Sequence, residues 1–465
     1  MNMINVRRLT VMTFLGAGML SGISAQVSPL QVDTLKETKI PDQWDLQSCI
    51  DYAKEQNITI RKNRITAVST QIDVKTAKAA LFPSLSFSTG HQVVNRPYQE
   101  TSSRVSGSEI ISSNSKTSYN GNYGLNASWT LYNGNKRLKT IQQEKLNNQM
   151  AELDVATSEN NIQESIAQVY IQILYAAESV KVNENTLQVS IAQRDRGQEL
   201  LNAGSIAKSD LAQLEAQVST DRYQLVTAQA TLEDYKLQLK QLLELDGENE
   251  MNIYLPALSD ENVLAPLPTK KDVYIRALSL RPEIEASKLN VEASELGIGI
   301  AKSSYLPTIS LSAGIGTNHT SGSDFTFGEQ VKNGWNNSIG LSVSVPIFNN
   351  RQTKSAVQKA KLQYETSMLS LLDEQKTLYK TIEGLWLDAN SAQQRYAAAN
   401  EKLKSTQISY ELISEQFNLG MKNTIELLTE KNNLLQAQQE QLQAKYMAIL
   451  NMQLLKFYQG DQLAI

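Results

Sequence analysis

The chain has 465 residues, 41% of them apolar, with 44 Lys and Arg set against 48 Asp and Glu for a formal net charge of −4. That balance excludes the basic excess that neutralises phosphates, so no nucleic-acid partner is expected. One cysteine, Cys49, excludes an intrachain disulfide, and two histidines, His91 and His319, leave no Cys/His zinc set and no metal or cofactor expectation. Only 22 Gly and 10 Pro interrupt the chain, so its elements should be long.

Residues 1–25 have the layout of a cleavable export signal: Arg7 and Arg8, an apolar stretch over 9–20, then the small residues Ser21, Gly22, Ser24 and Ala25. The apolar stretch is shorter than the ~18 residues a retained anchor needs. Beyond it no run of that length occurs, so the exported chain is expected to be either soluble outside the cytoplasm or a β-barrel. Residues 26–83 form an N-terminal segment with a first helix. Over 84–131 the period changes to two. Leu85 and Phe87 begin one run, and Tyr123, Leu125, Ala127, Trp129 and Leu131 alternate with Asn122, Gly124, Asn126, Ser128 and Thr130 in another. These are the strands of a first β-hairpin, joined by a Ser/Asn/Gly-rich connection over 95–118.

Residues 132–245 read as a long helical hairpin. Apolar side chains recur at Ile162, Ile166, Val169, Ile173, Ala177 and Val180, and after Gly204 at Leu211, Leu214, Val218 and Leu225, with Asp221 interrupting the seam. A linker over 246–271 carries Pro256, Pro266 and Pro268 and should lie alongside the helices. Residues 272–307 open a second unit with a helix. Over 308–347 a second β-hairpin follows, with Ile309, Leu311, Ala313 and Ile315 on one strand and Ile339, Leu341, Val343, Val345 and Ile347 on the other. A second helical hairpin spans 348–458 and a tail 459–465.

The two halves are copies. Leu81-Phe82-Pro83 recurs as Tyr305-Leu306-Pro307, offset by 224 residues. Tyr132-Asn133 recurs as Phe348-Asn349, and Gly204 as Gly420, both offset by 216. The helical part therefore keeps its length while the hairpin differs by eight residues, as a loop does. Each strand is close to the ~9–11 residues that cross a bilayer with one face to lipid and one to water. Four strands cannot close a barrel, because bacterial barrels begin at about eight. Two, three or four chains would supply 8, 12 or 16 strands, and the pattern does not choose among them. The helices must all leave on one side of the sheet.

In residues and order the chain resembles the TolC-like outer membrane efflux proteins. The opening Trp44-Asp45-Leu46-Gln47-Ser48-Cys49-Ile50-Asp51-Tyr52-Ala53 looks like the family's first helix, and Ala277-Leu278-Ser279-Leu280-Arg281-Pro282-Glu283-Ile284 like its second-copy counterpart. The Pro83 and Pro307 entries and the Tyr132 and Phe348 exits match too. The resemblance implies a mainly α fold with a membrane β-barrel: a homotrimer whose 12-strand barrel lies in outer-membrane lipid and continues as a periplasmic helical barrel. It also implies a passive exit duct for a tripartite pump or a type I secretion system, with a periplasmic adaptor and an inner-membrane transporter as partners. Gly204, Ser205, Gly420 and Met421 are then the docking residues at the helical tips. Asp210 resembles a latch aspartate, with Lys422 at the place of its basic partner, although lysine lacks the bidentate fork of arginine. Glu426 occupies an acidic gate position. The second such position is Thr429 here, with Glu430 beside it.

Two other classes are set beside the duct. An exported structural coiled coil shares the helices but has no channel. An exported enzyme would need a polar catalytic cluster, and no G-x-S-x-G, Walker or H-E-x-x-H motif is present. Gly297-Ile298-Gly299 lacks the third glycine of a dinucleotide turn.

Overall fold

A computed structural model describes residues 41–98, 102–106, 109–113, 116–246, 251–256, 263–321 and 325–463. The expected export signal lies outside the described residues, as do parts of the linker and the end of the tail. The first copy contains α1 (Leu46–Gln56), α2 (Ile58–Ala79), β1 (Ser84–Asn95), β2 (Ser102–Ser106), β3 (Glu109–Ser113), β4 (Thr117–Asn133), α3 (Lys136–Asn202) and α4 (Lys208–Leu242). The second contains α5 (Lys270–Leu280), α6 (Pro282–Ser303), β5 (Thr308–Thr320), α7 (Phe327–Asn333), β6 (Asn336–Ser344), α8 (Gln352–Asn418) and α9 (Thr424–Tyr458). Among the described residues no helix is long and apolar enough to cross a membrane.

The duplication holds for the four pairs of helices, whose lengths match. Helices α1 and α5 have 11 residues each and α2 and α6 have 22, at an offset of 224. Helices α3 and α8 have 67 each and α4 and α9 have 35, at an offset of 216. The eight-residue difference falls between the strands of each hairpin, where copy one carries the small β2–β3 ladder and copy two the helix α7. Neither was expected from the polar connections. Helix α7 starts on a reciprocal cap, in which Thr326 N–H donates to Glu329 Oε2 (2.8 Å) and Glu329 N–H to Thr326 Oγ1 (3.4 Å). Seven residues are too few for a helical period to show.

The four long strands form one antiparallel sheet in the order β1-β4-β5-β6. The register sorts the side chains by face. Leu85, Ala127, Ala313 and Ile339 stand in one row across the sheet, and Phe87, Leu125 and Ile315 in the next; Ser84, Ser128, Ser312 and Gly340 form a row on the opposite face. A bulge between Thr130 and Tyr132 carries β4 on to Asn133. Strand β6 stops at Ser344, short of the expected Ile347, because Pro346 has no N–H for the ladder.

Proline-free runs of 67 residues allow α3 and α8 to extend about 100 Å. Neither has a single partner of that length. Helix α2 covers the half of α3 near the sheet, with Asn63 beside Ser158, Arg64 paired to Glu159 at 2.8 Å and Thr70 to Asn148 at 3.2 Å. Helix α4 covers the half near the turn, where Gly197 leaves room for Leu214: a β-carbon there would clash with Leu214 Cδ1. The helices α4 and α2 abut end to end at Asn57. Its Oδ1 accepts from Thr59 and Ile60 N–H (2.9 and 3.3 Å) and its Nδ2 donates to Leu242 O (3.0 Å), so one buried side chain serves the start of one helix and the end of the other. In copy two the equivalent position is Arg281. This buried guanidinium pairs with Glu164 of α3 at 2.5 Å and lies 3.8 Å over the ring of Tyr458 at the end of α9.

The main core sits at this mid-length level, around Trp44, Cys49, Ile50, Tyr170, Leu239, Leu243, Tyr396 and Leu450. Burial pushes the Cys49 thiol up to about 12, so it packs as a small apolar group. The described parts of the linker wrap the helices here. Trp44 N–H donates to Asn252 O and Tyr254 N–H to Trp44 O, both at 2.8 Å, in a short parallel bridge; Tyr170 Oη donates to Tyr254 O (2.6 Å), and Trp386 Nε1 donates to Pro268 O (3.0 Å). Contacts between the two copies are level: Gln193 donates to Tyr410 Oη at 2.8 Å and Gln217 to Asn432 Oδ1 at 3.3 Å, pairs separated by 217 and 215 residues.

Candidate functional site

The tips are two matching helix ends. Gly204 has φ +74° and Gly420 φ +73°, the left-handed conformation that glycine adopts without a β-carbon clash. In each, the residue after the glycine reaches back over the last turn: Ser205 N–H donates to Leu200 O and Met421 N–H to Gln416 O, both at 2.8 Å. The glycine N–H groups donate to Leu201 O and Phe417 O, both at 2.9 Å. This double bond pattern closes the helix and leaves the turn exposed. In copy two the turn also exposes Leu419, Met421 and Ile425.

Asp210 and Glu426 are the same position in the two copies, the third residue of the ascending helix. Asp210 Oδ2 accepts from Ala207 N–H at 3.0 Å. Glu426 Oε2 accepts from Asn423 N–H at 3.2 Å while Asn423 Oδ1 accepts from Glu426 N–H at 2.9 Å, a complete capping box. Lys422 donates to Glu426 Oε1 at 2.6 Å. That bond, with the Asn423 N–H, holds the Glu426 carboxyl below the usual glutamate range. Within one chain Lys422 is thus brought to Glu426 and not to Asp210. Glu430 turns to α8, accepting from Ser409 Oγ at 2.9 Å, and Thr429 Oγ1 donates back to Ile425 O at 2.7 Å.

A polar cluster that the seam reading missed lies above the tip. Asp221 of α4 and Lys431 of α9 are 1% and 3% exposed; Lys431 Nζ donates to Asp221 Oδ2 and to Ser190 Oγ of α3, and Ser190 Oγ donates to the same Oδ2. Gln217 Nε2 donates to the other carboxylate oxygen at 2.9 Å. Burial pulls the Lys431 ammonium below the usual lysine range, with Asp221 opposing it. The one available signal was Asp221 standing at a heptad position between Val218 and Leu225.

At the other end of the molecule the apolar sheet face is bounded by aromatic rings. His91, Tyr119, Tyr123, His319 and Phe327 pack together far from the long helices, with Tyr119 Oη 2.7 Å from His91 Nδ1. Near the helices Trp129 Nε1 donates to Leu81 O at 2.7 Å. From Tyr119 to Trp129 along β4 is about 33 Å, or about 23 Å along the normal of a bilayer crossed at ~45°. Gly297 and Gly299 lie inside α6, where Lys139 of α3 donates to Gly299 O at 3.3 Å, so they serve helix packing.

A sequence profile described as outer membrane efflux protein matches twice, over residues 49–244 and 273–460, once on each copy. The chain belongs to the outer membrane efflux protein family. It is 24% identical over 290 residues to the outer membrane efflux protein BepC of Brucella suis biovar 1, covering 62% of this chain and 60% of that protein. It is 24% identical over 294 residues to the outer membrane protein TolC of Escherichia coli K12, covering 61% and 58%. The chain thus spans about three fifths of the length of these two relatives. Among solved structures, the outer membrane protein VceC of Vibrio cholerae superposes with a TM-score of 0.74 over 90% of this chain and 97% of that one, at 16% identity. That likeness is one of fold, and it places the duplicated hairpins in the family's α-barrel and β-barrel architecture.

Proposed function

We propose that three copies of this chain form an outer-membrane exit duct, reaching into the periplasm and passing what an inner-membrane transporter delivers through a periplasmic adaptor. The observation that carries this is the sheet. It has one face of Leu, Ile, Val, Phe and Ala and one of Ser, Gly and Asn, and among the described residues strands β1 and β6 each have only one partner. In lipid an open edge leaves backbone groups unpaired at several kcal/mol each, so β6 of one copy must meet β1 of the next until the ring closes. The aromatic boundaries match the ~25 Å apolar band of such barrels. Three copies are the number the family resemblance selects. The polar face then lines a water-filled bore, and the helices continue it.

At the tips Gly204, Ser205, Gly420 and Met421 are the adaptor's docking residues, supported by their exposure and by the exposed apolar Leu419 and Ile425 beside Met421. Asp210, Lys422, Glu426 and Glu430 surround the entrance, and a threefold ring of Glu426 carboxylates favours cations. The duct performs no chemistry. The test is fractionation and conductance: the protein is expected in outer membranes as a heat-resistant trimer giving steady currents in planar bilayers. A monomer released by salt alone and silent in bilayers overturns the proposal.

A further inference from the structure

We propose that Ser190, Asp221 and Lys431 are positioning residues: a buried register lock that seats α9 at one height and one rotation in the α3–α4 groove and so decides where Glu426 stands at the entrance. This rests on the duct reading only for what Glu426 does there.

Three observations combine. The first is placement. On α9 the buried side chains Thr424, Leu427, Lys431, Leu434 and Leu435 follow helical spacing, so Lys431 fills a seam position that packing alone would give to an apolar residue. Asp221 does the same on α4. An apolar seam tolerates sliding, because one methyl resembles the next a turn away. A charged pair does not: a slip of one turn, about 5.4 Å, would part the ammonium from its carboxylate and leave both buried without a counter-charge.

The second is completeness. The ammonium reaches both Asp221 and Ser190, Ser190 also donates to Asp221, and Gln217 donates to the remaining carboxylate oxygen while bonding Asn432 on α9. Three helices converge on one point, so height and rotation are set together. The third is asymmetry. The four pairs of helices agree in length between the copies, yet the residues equivalent to Asp221 and Lys431 are Ala437, which is buried, and Glu215, which is exposed. Among the described residues the cluster exists once. It therefore distinguishes the packing of hairpin two on its own hairpin one from any backbone-equivalent alternative that the duplication would otherwise allow. Buried polar residues in helical seams are best attested in that registry role. Glu426 lies five residues below Lys431 on the same helix, so a lock at Lys431 fixes its position directly.

The experiment uses the full-length protein in detergent. Gln217→Cys is combined with Asn432→Cys, at the observed height, or with Gln436→Cys or Leu428→Cys, one turn above or below; the native Cys49 is buried and does not compete. With Ser190, Asp221 and Lys431 in place, and only the outer Gln217 bonds given up to the cysteines, only the 217–432 pair is expected to cross-link. In Asp221→Leu/Lys431→Leu, an apolar replacement that removes both charges together and should still assemble, the preference is expected to be lost, with a shifted pair cross-linking to an extent comparable with 217–432. In bilayers the same double variant is expected to split the single conductance level into several. If it keeps the native cross-link pattern and one conductance level, the cluster serves stability only and the proposal is overturned. If the Gln217→Cys/Asn432→Cys protein with Ser190, Asp221 and Lys431 unchanged cross-links in register while the wild type conducts nothing, the duct reading fails and the lock stands.

Discussion

Asp210 and Glu426, 216 residues apart, occupy the third position of the two ascending helices, and each accepts a hydrogen bond from the backbone N–H that begins its own helix. The family resemblance assigns them to different tasks, latch and gate, whereas the fold makes them equivalent. What separates them is Lys422, present beside Glu426 and replaced in copy one by Ile206. Glu426→Gln should therefore retain a neutral cap but lower the preference for cations, moving the reversal potential in a salt gradient towards zero. Unchanged reversal potentials would remove Glu426 from the entrance.

The ion pair gives a pH dependence of definite sign. Because Lys422 and the Asn423 N–H depress the Glu426 pKa in the folded protein, the pair is stabilising above the ordinary glutamate value of about 4.3, and that contribution is lost as pH falls through the lower, folded value. Cation preference should consequently persist somewhat below pH ~4.3 in the wild type. In Lys422→Met its loss should begin at higher pH. Titrating the reversal potential of both proteins decides this.

Asn57→Ala removes a buried side chain that serves both α4 and α2 at their junction. The expected loss is about 1–2 kcal/mol, larger than for an exposed cap because Leu242 O also loses its donor away from solvent. Urea melts followed by circular dichroism measure it, and a change below half of that would mean that the helices meet without needing the residue.

Gly204→Ala and Gly420→Ala place a β-carbon on left-handed backbone at a cost of about 1–2 kcal/mol each, with open space around both positions. The turn should reshape locally while the proposed assembly survives. Cross-linking to an adaptor is expected to fall in both variants, and undiminished cross-linking would mean that docking does not use the turns.

On the sheet the two faces should respond differently. Leu341→Lys puts a charge on the apolar face near mid-strand, where ~2–4 kcal/mol is expected against assembly in lipid, whereas Ser342→Lys points to the polar face and should be tolerated. The yield of heat-resistant oligomer in outer membranes separates them.

The duplicated plan was legible because its landmarks obey backbone rules that survive divergence. Pro83 and Pro307 sit where a helix gives way to a strand, and Gly204 and Gly420 where φ turns positive. What escaped was of two kinds. The strands β2 and β3 and the helix α7 are shorter than a period needs to declare itself, and Pro346 falls at a polar place of the alternation, so it ends the strand without disturbing the period. Asp221, Lys431 and Arg281 escaped for a different reason. Each reads as a solvated charge or a seam defect until its partner, more than a hundred residues away, is brought beside it by the fold. Apart from the place of Asp221 in the apolar seam, pairing across such distances leaves no local trace.

The level contacts Gln193–Tyr410 and Gln217–Asn432 carry a mechanical corollary. Since both helical hairpins descend to a common depth, a closed ring of three subunits would end in six prongs of even height, an approximately flat rim with near sixfold repetition built from a threefold assembly. A coupling protein with evenly spaced contacts could therefore seat on either kind of prong, and the chemical difference between Ser205 and Met421 would have to supply whatever orientation the joint requires.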